Sequence, residues 1–136
     1  MKRRTYLMTM MAAGAAAVPV LAADAARPIQ LHVDLSVDPA REAEMLKNFE
    51  TIFKPAASKQ PGYIDVTILK LRSTLMGKAP VGINYRFELT YQSEELRQKW
   101  IKTDVHQKVW PTLENTLLTK NYTVMLFDVS STKASK

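Results

Sequence analysis

The sequence predicts an α+β domain in which two helical segments cover one face of a four-stranded antiparallel sheet. Three observations lead there: segments that alternate apolar and polar residues, two stretches with apolar residues spaced by three and four, and their order along the chain. That order is β-α-β-β-α-β, the ferredoxin-like split arrangement.

Ile29 to Val37 alternates strictly, with Gln30, His32, Asp34 and Ser36 between the apolar residues, as in a half-buried strand. Asp38-Pro39 then predicts a helix start, because an aspartate caps exposed amide groups and a proline at the first position loses nothing. Met45, Leu46, Phe49, Ile52, Phe53 and Ala56 form an amphipathic stripe running to about Ser58, and Gln60-Pro61-Gly62 ends it. Tyr63 to Leu71 is the second strand, with Ile64, Val66 and Ile68 assigned to one face. Ser73 to Pro80 is a loop, and Ile83 to Tyr91 gives the clearest alternation in the chain. Ser93 caps the next helix, with Glu94 and Glu95 in its first turn opposing the helix dipole. Thr103-Asp104 reads as a restart and Pro111 as a break, so two short helices or one kinked helix are expected up to about Leu118. Tyr122 to Val129 is the last strand, and residues 130–136 form a polar tail expected to be mobile.

The chain has 136 residues, no cysteine, and 19 basic against 13 acidic residues. One domain fits that length. Without cysteine there is no disulfide, thiolate metal site or cysteine nucleophile. The first 25 residues have the order of a signal peptide: basic Lys2, Arg3 and Arg4, an uncharged run, and small residues offering cleavage after Ala22 or Ala25. Arg3-Arg4-Thr5-Tyr6-Leu7 also fits a twin-arginine export pattern, which leaves two export routes open. The expectation is an exported protein, periplasmic or secreted, with its domain at residues 26–129 and no membrane anchor after cleavage. Removing Lys2, Arg3, Arg4 and Asp24 leaves 16 basic against 12 acidic residues. No cluster of basic residues interleaved with aromatics remains, so no nucleic-acid partner is expected. His32 and Asp34 could share a strand face, but with no third ligand in register no metal site is assigned.

Three stretches carry a family resemblance: PAREAEMLKNFETIFKPAASKQPGYIDVTILK, YRFELTYQSEELRQKWIKTDVHQKVWPTLENTL and YTVMLFDV. Within them the P-G-Y before the second strand, the E-L-T-Y-x-S-E-E strand-to-helix join and the W-x(5)-H stretch are the strongest parts. Together they resemble the antibiotic biosynthesis monooxygenase domain family of the dimeric α/β-barrel group. The resemblance spans about Ile29 to Val129. It implies a homodimer whose sheets close a barrel, with a ligand pocket between sheet and helices in each subunit. It also implies either cofactor-free oxygenation of a small aromatic or quinol compound, or binding of a small hydrophobic ligand without catalysis. The haem-degrading branch of the family has a histidine ten residues after its helical tryptophan. Here Trp100 is followed at that distance by Trp110, and no asparagine stands near Val33 or Asp34, which argues against haem.

Within that frame His106, beside Asp104, is the candidate base for a phenolic or quinol hydroxyl. Arg86 and Asn84 are candidates for steadying the resulting anion from the sheet. Trp100, Phe49, Phe53, Tyr85 and Phe87 are candidates for the substrate-binding wall, with Trp110 beside them. Aromatics at these spacings also build an ordinary core, and Arg86 and Asn84 could equally pair across a dimer.

Overall fold

The alternating segments pair as their periodicity requires. The computed structural model describes residues 27–131; residues 1–26, where a signal peptide is expected, and residues 132–136 of the tail lie outside the described residues. Strands β1 (Ile29–Leu35), β2 (Tyr63–Lys70), β3 (Tyr85–Tyr91) and β4 (Thr123–Asp128) form one antiparallel sheet in the order β2-β3-β1-β4. Ile29, Val33, Leu35, Val66, Phe87 and Leu89 are buried beneath the helices. His32 is opposite Glu88 and Asp34 opposite Arg86 on the other face. Strands β1 and β3 are shorter than the alternation suggests. Val37 has left β1 for an isolated bridge with Leu117, and Asn84 precedes β3.

One assignment within β2 needs correction. The register shifts between Tyr63 and Asp65, so Ile64 is the extra residue of a bulge and is 46% exposed instead of sharing the core face with Val66 and Ile68. Gly62, just before this bulge, has a φ of +91°, which disfavours any residue with a Cβ. A Cβ there would also stand 2.7 Å from Leu96 Cδ1 and 2.8 Å from Leu96 Cβ. The close approach lets the Gly62 carbonyl accept the Gln92 amide at 2.7 Å, tying the start of β2 to the end of β3.

The first helical segment opens with a 3-10 turn, Pro39–Arg41, continues as α1 (Glu42–Asn48), widens into a π turn, Phe49–Phe53, and closes as α2 (Lys54–Ser58). Asp38 caps it as expected, its carboxylate accepting the Ala40 amide at 2.9 Å. The widened turn has a local cause in Pro55, which cannot donate to the Thr51 carbonyl and crowds it. Phe49 and Phe53 remain on the buried face, stacked at 6.3 Å, and Phe53 meets the edge of Phe87 at 5.3 Å.

The second segment resolves into α3 (Glu94–Ile101), α4 (Asp104–Val109) and α5 (Pro111–Glu114). Ser93 caps α3 by accepting the Leu96 amide. Thr103 both closes α3 and opens α4: its hydroxyl donates to the Trp100 carbonyl at 2.7 Å and accepts the His106 amide at 3.1 Å. The helix break expected at Pro111 is present: α4 ends at Val109, and Pro111 opens α5 at a first-turn position where no amide donor is needed. Among the described residues no helix is long and apolar enough to cross a membrane.

Candidate functional site

The helix spacing of α3 puts Arg97, Trp100 and Ile101 on one side, and the restart at Thr103 swings His106 and Gln107 of α4 toward the same space. Beneath them lie Leu31, Val33, Phe87, Leu89 and Val124 from the sheet, with Phe53, Trp110 and Tyr122 at the sides. The result is a mainly apolar cavity of about 320 Å³, within the range of small-molecule sites.

His106 stands between the two tryptophans. Its ring meets Trp100 edge-on, with centroids 5.0 Å apart, and lies nearly parallel to Trp110 at 6.5 Å. Nδ1 is buried with no hydrogen-bond partner among the described residues, and the residue lines the cavity. Burial lowers the pKa of the imidazole, and the nearby Arg97 charge lowers it further. A neutral imidazole at physiological pH can accept a proton, so the chemistry open to this group is general base catalysis.

Two further features orient the walls. The Trp110 indole N–H donates to the Tyr122 hydroxyl at 3.1 Å, and that hydroxyl donates to Glu114 at 2.6 Å. Burial, with the Glu114 bond added, pushes the Tyr122 pKa up to about 12, so the phenol stays protonated and the chain of bonds keeps its direction. Arg97 is held by Glu94 through Nε at 2.7 Å and Nη2 at 2.8 Å.

The structure divides the residues singled out in the sequence. His106, Trp100, Phe53, Phe87 and Trp110 share the cavity wall. Phe49 sits behind Phe53 and Phe87 in the core and does not line the cavity. Tyr85 is buried on the helix side but at the far end of β3, where its hydroxyl donates to Glu42. Arg86 and Asn84 do not join His106. Arg86 lies on the opposite face of the sheet, donating from Nε to the buried Asp34 at 2.7 Å. The Asn84 amide is occupied in both directions: Nδ2 donates to the Val37 carbonyl at 2.9 Å, and Oδ1 accepts the Val37 amide at 2.8 Å. His32 is likewise engaged on that opposite face, 2.7 Å from Gln30 Oε1 and packed on Phe127. Arg97 and Tyr122 are cavity residues that the sequence reading missed. Arg97 precedes Trp100 by three on a helix, a spacing that places both on one face.

No protein-family model matches this sequence, and no curated protein matches it. Solved structures do. A candidate antibiotic biosynthesis monooxygenase from Caulobacter crescentus superposes with a TM-score of 0.61 at 19% identity, covering 79% of this chain and 93% of that one. SnoaB, a cofactor-independent oxygenase from Streptomyces nogalater, gives 0.62 at 15% identity over 81% of this chain and 100% of its own. A dimeric ferredoxin-like protein of unknown function from Jannaschia gives 0.63 at 14% identity over 75% and 99%. The chain has the ferredoxin-like fold of these structures.

Proposed function

We propose that the chain is an exported, homodimeric α/β-barrel protein with cofactor-independent monooxygenase activity on a small phenol or quinol. The observation that carries the reading is the neutral His106 in the wall of an aromatic-lined cavity of about 320 Å³. Substrate stacks among Trp100, Trp110, Phe53 and Phe87, and His106 takes the hydroxyl proton. The resulting anion is electron-rich enough to reduce O₂. One oxygen atom stays on the ring as a quinone carbonyl. The other leaves as water with the ring C–H and O–H hydrogens, so the substrate supplies the electrons and O₂ is the oxidant. The likeness to SnoaB, a cofactor-independent oxygenase, favours this reading.

Dimerisation is supported by the sheet face turned away from the helices. Leu69, Leu71, Met125 and Phe127 are 38–44% exposed there, beside the Asp34–Arg86 ion pair. Exposed apolar side chains on this sheet face call for a cover. Export rests on residues 1–25, whose basic, apolar and small-residue segments follow signal-peptide order.

Oxygen uptake with a panel of quinols and phenols tests the activity. Substrate-dependent consumption is expected. A raised melting temperature with these compounds but no uptake would establish the second reading, a binding protein using the same apolar cavity.

A further inference from the structure

We propose that Arg97 determines specificity in the cavity: its guanidinium meets the phenol oxygen as it becomes negatively charged, so that the cavity binds the anion left by proton transfer more tightly than the neutral phenol. The proposal rests on the phenol-binding reading above and narrows it to a charge state.

Among the described residues, Arg97 is the permanently charged side chain in the cavity lining. Its side chain is 12% exposed, whereas that of its partner Glu94 is 36% exposed and stays outside the lining. The guanidinium is fixed by two bonds, which use Nε and Nη2. Nη1 makes no hydrogen bond among the described residues, so a donor remains for a ligand. The other ionisable groups near the cavity oppose an anion little. His106 is neutral, Tyr122 stays protonated, and Glu114 lies beyond the Tyr122 hydroxyl, outside the lining. The apolar walls add to the effect, since a charge–charge attraction grows as water is excluded.

4-Nitrophenol tests this, because its anion and neutral form have different absorption spectra. Bound to the protein, its pKa is expected to fall by about one unit or more, equivalent to at least about tenfold tighter binding of the anion. Arg97→Gln is expected to abolish the preference and Arg97→Lys to retain most of it. Glu94→Gln removes the neutralising carboxylate and is expected to strengthen the preference, which keeps the test open if Arg97→Gln does not fold. Equal binding of both forms by the wild-type protein, or a preference surviving in Arg97→Gln, would overturn the role of Arg97 while leaving phenol binding intact. An unchanged preference in Glu94→Gln would also count against it. No binding of 4-nitrophenol by the wild type, monitored by tryptophan fluorescence, would overturn both this role and the phenol reading.

Discussion

His106 couples the cavity to pH. Its folded-state pKa lies below the ordinary value of 6.5, mainly through burial, so the unfolded chain binds this proton more readily than the folded one. The contribution to stability is full above about pH 6.5 and is lost as the pH falls toward the lowered folded value. Urea midpoints measured between pH 7 and 5 are expected to fall in the wild type and to fall less in His106→Phe; equal slopes would contradict the assignment. Asn84 gives a contrasting test at the same scale. Its side chain serves the Val37 backbone at both ends, so Asn84→Ala is expected to lose about 1–3 kcal/mol in denaturant unfolding. Both residues were visible in the sequence as polar groups, but alternation reports only which face a side chain takes. It placed Arg86 and Asn84 away from the helices, yet it could not show that Asp34 and Val37 already occupied them.

At the level of elements, the cap and stripe signals were legible because they are local. Asp38, Ser93 and Thr103 all cap as their sequence context indicates. The π turn at Phe49–Phe53 and the bulge at Ile64 were not, since each inserts one residue into an otherwise regular period. Pro55 was the available signal for the first and Gly62, next to the bulge, for the second. Thr103 has the largest expected effect on the site, because its hydroxyl bonds Trp100 on one helix and His106 on the next. Thr103→Val is expected to destabilise the fold by about 0.5–2 kcal/mol and to reduce ligand affinity, read by thermal shift with and without a phenol. Gly62→Ala is expected to be more damaging, about 2 kcal/mol or more, since a left-handed backbone and contact with Leu96 act together. An unchanged melting temperature in Gly62→Ala would mean that β2 and α3 separate without penalty.

For the whole molecule, the helices and one sheet face make the cavity, while Met125 and Phe127 stand exposed on the other face. Light scattering of the mature protein is expected to give twice the chain mass, and Phe127→Lys to shift it toward the monomer. A monomeric wild type would remove the barrel from the reading. The fold was legible in the sequence because periodicity and element order are properties of the chain. The composition of the cavity was less so, because Arg97 and Tyr122 reach it from separate elements. The central claim is that His106 acts as a base on a bound phenol or quinol. The most direct measurement compares initial rates of substrate-dependent oxygen uptake by the wild type and by His106→Ala. A loss of about 10²–10⁴-fold with the fold intact is the expected result. Equal rates in the two proteins would contradict it.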